Sequence, residues 1–205
     1  MIIEKAYDFR KKLLTIHEKN IRNFDYIPKE NELEIADGVI IEIGNTDNIV
    51  INTAAKDFID FLATSMNVSA TFSKKGENKG KNVIRLALAK DEGVALGEAE
   101  GYKGFFINVA DGIEVYGYDD RGVAAALYYI EDLMCMKKAP VLEKGEIRKK
   151  TALSPRMVHS GYALDNYPDE YLTRIAHEGR DAILVFAWDV NKTHLGYLDF
   201  NDLIA

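Results

Sequence analysis

In the stretch GIEVYGYDDRGVAAALYYIEDLM, Gly112 to Met134, two aspartates, an arginine and a glycine separate an alternating run from an apolar one. Residues of these types at a strand-to-helix junction could serve a catalytic acid–base turn or a loop that grips phosphate. The phosphate reading fails on spacing, because Gly117 and Gly122 match neither G-x-x-x-x-G-K-[ST] nor G-x-G-x-x-G. It fails on charge as well, since two carboxylates at a helix start repel an anion. As a helix cap the same residues fit. An aspartate accepts from the exposed first-turn amides, both acids favour the positive end of the helix dipole, and Gly122 lets helix and sheet approach closely.

The histidines, His17, His159, His177 and His194, form neither H-E-x-x-H nor any pair at metal-ligand spacing, so no metal site is expected. No G-x-S-x-G elbow is present, and no cofactor is expected. His177 falls near the C-terminal end of a predicted helix, where its charge is favourable and a surface role is sufficient. The lone Cys135 excludes an internal disulfide and reads as a small buried hydrophobe on its helix.

More chemistry collects after Ser154. PRMVHSGYALD reads as a short apolar strand with polar residues at its far end, YPDEYLTRIAHEG as a helix between Pro168 and Gly179, and DAILVFAWDV as an apolar strand. If the two strands are parallel, their downstream ends carry His159, Ser160, Tyr162 and Asp165 on the first and Trp188 and Asp189 on the second. That is the end at which alternating strand–helix barrels build their sites. An indole beside carboxylates matches a sugar, whose ring face stacks while its hydroxyls bond to acids. Equally, Trp188 could fill a barrel mouth and Asp189 cap a loop.

The elements needed to position such residues can be followed along the chain. Ala6, Phe9, Leu13 and Ile16 predict an amphipathic helix over the first twenty residues. ELEIADGVIIEIG predicts one or two strands turning at Asp37-Gly38. Ala54, Phe58, Phe61, Leu62 and Ser65 share a helix face running to about Met66, with Asn52 or Thr53 as N-cap. SATFSK and NVIRLALAK read as strands around a polar loop, the second with Ile84, Leu86 and Leu88 on one face. GFFINVADGIEVYGY reads as a hairpin on a two-residue Asp111-Gly112 turn. Ile107, Val109, Ile113 and Val115 share its buried face. Val123, Leu127, Ile130, Leu133 and Met134 make the stripe of the helix that follows. The charged EKGEIRKK, with Arg148-Lys149-Lys150, reads as a solvated boundary. The fold class is therefore α/β: a sheet with helices mainly on one face over residues 1–150, then a βαβ unit over 151–205. Two parallel strands do not make a stable domain by themselves, and the apolar DAILVFAW invites self-association.

The net charge of -7 argues against nucleic acid or an anionic membrane as partner. Glu4, Lys5, Asp8 and Arg10 break up the N-terminus as a secretory signal, and no run approaches the ~18 apolar residues of a membrane helix. A cytoplasmic location is expected.

EGYKGFFINVADGIEVYGYDDRGVAAALYYIEDLM resembles the non-catalytic α/β domain that precedes the barrel in family 20 β-N-acetylhexosaminidases and in related glycoside hydrolases such as α-glucuronidases. The shared pattern is a glycine-aromatic start, a hairpin, an acidic turn with glycine and an apolar helix ending in Leu-Met. SPRMVHSGYALDNYPDEYLTRIAHEGRDAILVF is similar to the opening strand and helix of the barrel that follows. The resemblance spans roughly residues 30–205. It implies that Arg156 matches an arginine that binds the terminal sugar. Here Met157 follows it, with Leu164-Asp165 further on, where the family has glycine and then Leu-Asp. It also implies an N-terminal portion of a glycosidase, its catalytic carboxylates on later strands of a barrel of about 250 residues. The expectation is a chain inactive by itself, with Arg156, His159, Asp165, Trp188 and Asp189 as substrate-binding candidates. The alternative is a self-contained carbohydrate-binding or oligomerisation module.

Overall fold

The computed structural model describes residues 14–44, 47–76, 82–159 and 168–184. The chain divides into two compact units. One is His17–Ala152; the described part of the other comprises residues 14–16, 153–159 and 168–184.

The first unit is built on a six-stranded sheet of β2 (Val39–Ile43), β3 (Ala70–Lys74), β4 (Val83–Leu88), β5 (Phe105–Val109), β6 (Ile113–Gly117) and β8 (Gly145–Lys149), in the order β3-β2-β4-β6-β5-β8. The first four in that order run parallel; β5 is antiparallel to both β6 and β8. Helices α1 (Ile49–Met66) and α3 (Asp120–Lys137) cover one face. The core lies between, with Ile41, Ile84, Leu86, Ile107, Ile113 and Val115 of the sheet under Phe58, Leu62, Leu127 and Ile130. Among the described residues of this unit, the opposite face carries the short helix α2 (Ala89–Glu92) and a 3-10 turn over Gly97–Ala99, packed through Ala89, Leu96 and Ala99 on Phe106. The mixed α/β class with helices mainly on one face is as expected.

Capping and glycine geometry explain the junction at Asp119. Its Oδ1 accepts from the Gly122 amide at 2.7 Å and its Oδ2 from the Lys103 amide at 3.1 Å, so one carboxylate fixes both the start of α3 and the loop beside it. A Cβ on Gly122 would sit 2.3 Å from the Gly104 carbonyl oxygen, so no larger residue permits this approach. Val123, Leu127, Ile130 and Met134 are fully buried along the predicted stripe.

Several elements depart from the pattern. Helix α1 begins a turn early, at Ile49, because Asn48 rather than Asn52 or Thr53 supplies the capping oxygen, 3.0 Å from the Ile51 amide. Residues 14–20 are turns and bends rather than helix. The amides of Asn20 and Ile21 donate instead to the Thr64 and Ser65 carbonyls, the orphan acceptors at the end of α1. Residues 1–13 lie outside the described set. The strands on either side of Asp37-Gly38 do not form a hairpin. β1 (Glu32–Glu34) pairs antiparallel with β7 (Val141–Glu143), while β2 enters the large sheet. The turn itself is tied sideways, with Asp37 Oδ1 accepting from the Ser69 amide and Asn82 Nδ2 donating to the Ala36 carbonyl. The β5–β6 turn holds three residues, 110–112, between the last pair Val109 and Ile113. Neither Asp111 nor Gly112 takes a positive φ there, so the Asp-Gly pair does not form the expected two-residue turn. Arg148-Lys149-Lys150 is no linker: Arg148 and Lys149 end an edge strand, with the Arg148 guanidinium 3.8 Å from the Phe106 ring centroid.

Cys135 is exposed, not buried. Desolvation of its sulfur, then the carboxylates of Glu131, Asp132 and Glu18, push the thiol up to about 11. At pH 7 the thiolate is then about a hundredfold scarcer than at an ordinary pKa of 9.0, offset in part by its greater nucleophilicity. Iodoacetamide should therefore modify it about tenfold more slowly than a free model thiol. A rate equal to the model's would refute this environment.

In the second unit, β9 (Met157–His159), α4 (Asp169–His177) and β10 (Ala182–Leu184) form a parallel strand–helix–strand motif, with Met157 opposite Ala182 and His159 opposite Leu184. Pro168 precedes the first turn of α4, and Gly179 follows its end at φ +72.

Candidate functional site

Of the residues expected at the strand ends, Arg156 and His159 fall among the described residues, whereas Ser160, Tyr162, Asp165, Trp188 and Asp189 lie outside them. Arg156 stands at the entry to β9. Its amide donates to Asp181 Oδ2 at 2.9 Å, and its carbonyl accepts from the Asp181 amide at 2.7 Å. Those bonds align β9 with β10. The guanidinium lies against Gly179, where an added Cβ would come 2.7 Å from Nη1. His159 closes the same strand, exposed at its carboxyl end. With three residues in β9, the two candidates sit at opposite ends of the strand. In a strand–helix barrel the end that His159 occupies is the one that receives substrate.

A second constellation, absent from the sequence reading, crosses the outer face of the six-stranded sheet. Ile41-Glu42-Ile43, Ile84-Arg85-Leu86 and Ile113-Glu114-Val115 each carry one charge between two buried aliphatics. Alternation sends the aliphatics to the core and the charge outward. The strand register then lines up Ser73, Glu42, Arg85, Glu114, Asn108 and Glu146 in one row across all six strands. Arg85 Nε donates to Glu42 Oε1 at 3.3 Å, its Nη1 lies 3.9 Å from Glu114 Oε1, and Asn108 Nδ2 donates to Glu114 Oε2 at 3.1 Å. The signal was present as three charged residues in apolar triplets, but only register reveals that they are neighbours.

Beside this row runs a second, in which Ala87, Tyr116, Phe106 and Arg148 are consecutive partners. Phe106 and Tyr116 stack with centroids 6.0 Å apart. Burial, then the carboxylates of Glu114 and Glu92, hold the Tyr116 hydroxyl above its ordinary pKa, so it remains a donor at neutral pH. Glu92 is paired with Lys75. The face therefore carries a row of alternating acceptors and donors, beside which Phe106 is buried under Ala89, Leu96 and Ala99. Among the described residues no helix is long and apolar enough to cross a membrane.

No protein-family model matches the chain, and no curated protein matches it. Among solved structures it is similar to a family GH115 4-O-methyl-alpha-glucuronidase, BtGH115A, with specificity for decorated arabinogalactans, at 16% identity and a TM-score of 0.49 over 63% of this chain and 20% of that one. It is also similar to CpGH84D, at 10% identity and a TM-score of 0.48 over 68% of this chain and 26% of that one. The chain thus spans about a fifth and about a quarter of the length of these two structures.

Proposed function

We propose that this chain supplies the non-catalytic α/β domain and the first strand–helix–strand unit of a barrel in a glycoside hydrolase of the hexosaminidase-like kind. The observation that carries the reading is the succession of a helix-covered sheet by the parallel β9–α4–β10 motif. A parallel strand–helix–strand unit is the repeating element of a (β/α)8 barrel. On this reading the carbohydrate partner is engaged by the whole barrel. His159, Asp165, Trp188 and Asp189 contribute from strand ends, Arg156 as the terminal-sugar arginine, and the acid and second carboxylate from later strands.

The 205-residue chain should leave aryl glycosides intact at neutral pH, while the protein extended through a full barrel should hydrolyse at least one of them. Turnover by the 205 residues alone would overturn the assignment, as would an extended protein whose further sequence folds as something other than a barrel. A second reading, assembly through the strands of the second unit, is favoured by Met157 and Leu184, which are 49% and 42% exposed. Sedimentation as a monomer up to high concentration would dismiss it.

A further inference from the structure

The two edges of the six-stranded sheet are not alike. At one, β8 sets Glu146, Arg148 and Lys149 within a single short strand, and charges along an edge deter the addition of another strand. At the other, β3 runs Ala70-Thr71-Phe72-Ser73-Lys74, with no proline and no charge before its last residue. Thr71, Phe72 and Lys74 are exposed.

The phase of the β3 ladder is fixed at both ends. The Val39 amide donates to the Ser69 carbonyl at 3.1 Å, and the Lys75 amide to the Ile43 carbonyl at 3.3 Å. In a parallel pair every second residue turns its backbone groups to the neighbour, so Thr71 and Ser73 face β2 while Ala70 and Phe72 face away. Nothing among the described residues bonds to the amides and carbonyls of Ala70 and Phe72. Register with Ile41 sets the Phe72 ring on the helix-bearing face at the rim of the core, where it stays 45% exposed.

Charge supplies an orientation. At the start of β3 the Asp37 carboxylate holds the Ser69 amide at 2.7 Å. At its finish stand Lys74 and Lys75, the second already paired with Glu92. The strand thus has an acidic entrance and a basic exit, and an antiparallel copy of itself brings each exit to the other's entrance.

We propose that the outer edge of β3 is a two-fold pairing surface for a second copy of this chain, joining the two sheets into one. Centred on Phe72, the two copies exchange both backbone bonds of an antiparallel hydrogen-bonded pair at that residue. Phe72 then stands opposite Phe72 of the second copy, Thr71 opposite Ser73, and Ala70 opposite Lys74. Aromatic pairs and Thr–Ser pairs are favourable across strands, and no like charges are set against each other. A register centred on Ser73 keeps the phase but sets Phe72 against Lys74, and so loses the aromatic pair. This surface belongs to the first unit and does not rest on the barrel reading.

The test is sedimentation equilibrium of the 205-residue chain, in which a dimer with a Kd of about 1 mM or below is expected. Phe72→Glu should weaken it at least about tenfold, because it sets two carboxylates opposite each other. At a dilution where both are monomeric, its thermal midpoint should stay within about 3 °C of the parent's, since the replaced ring is half exposed. Leu184→Glu, on the exposed strand of the second unit, should leave the dimer intact. A second measurement guards against a misfolded variant. With Cys135→Ser as background, Phe72→Cys places two sulfurs on residues whose Cα atoms lie about 5.5 Å apart, within reach of a disulfide. Thr71→Cys meets its twin only diagonally, at about 7–8 Å, and should cross-link at least about tenfold more slowly. A chain that stays monomeric at about 1 mM, a dimer lost in Leu184→Glu but kept in Phe72→Glu, or equal cross-linking at residues 71 and 72 would overturn the proposal. Failure of the barrel reading would show instead in the hydrolysis assay of the extended protein, which these measurements leave untouched.

Discussion

Gly104→Ala is expected to cost at least about 3 kcal/mol, the upper range for forcing atoms into a packed interior. Its Cβ would lie 1.8 Å from the Ala99 carbonyl oxygen and 2.8 Å from that of Gly101. Both obstacles are backbone, so neither can swing aside as a side chain would. The loop has no room to retreat either. The Gly104 carbonyl accepts from the Tyr118 amide at 2.8 Å and lies against Gly122, whose own missing Cβ makes the contact possible. Displacing residue 104 therefore disturbs the end of β6 and the start of α3 together. Gly93→Ala is the matched control: it faces open space, with only its φ of +66 to resist the change, and should cost about 1 kcal/mol. Urea midpoints at constant m would measure both. Equal losses in the two variants would show that the junction is looser than the geometry requires.

The second large effect concerns Glu32, whose side chain is fully buried where β1 meets the end of α3. Its carboxylate accepts from the Tyr26 hydroxyl at 2.9 Å and the Lys29 amide at 2.9 Å, and it pairs with Lys137. The Lys137 ammonium first, then the Lys29 amide and the Tyr26 hydroxyl, lower its pKa from 4.5 to about 2, against a burial contribution in the other direction. A folded pKa below the unfolded one contributes stability that is complete above pH 4.5 and is lost as the pH falls through about 2. Glu32→Gln keeps the shape but strands Lys137 without this partner, and should cost about 3 kcal/mol at pH 7. The gap between variant and parent should shrink steadily below pH 4.5 and close near pH 2. A gap independent of pH would show that the charge is not what holds β1 in place.

What could be read from the residues was local. The cap at Asp119, the stripe of α3 and the buried face of the β5–β6 hairpin each depend on neighbours within a turn or a hairpin, and each follows from pattern. What could not be read was partner choice. Nothing near Glu32–Glu34 says that its mate is Val141–Glu143, and the charges of β8 look like a linker until Phe106 and Tyr129 are placed beneath Arg148 and Lys149. Cys135 looked buried because its helix is apolar, yet it falls beside the buried stripe rather than within it. The same limit governed the sites. A motif-by-motif reading picked out polar residues at strand ends, while Glu42, Arg85 and Glu114 each looked like an isolated charge, because they meet only through register.

The pairing of β1 with β7 also closes a long stretch of chain on itself. Glu32 and Glu143 are register partners, so the stretch between them, which holds both long helices and five of the six strands of the large sheet, begins and ends about 5 Å apart. A stretch whose ends adjoin can be circularly permuted by joining them without its interior being rebuilt. Such a permutant, opened at the exposed Lys75-Gly76 turn, should keep the core under the two helices.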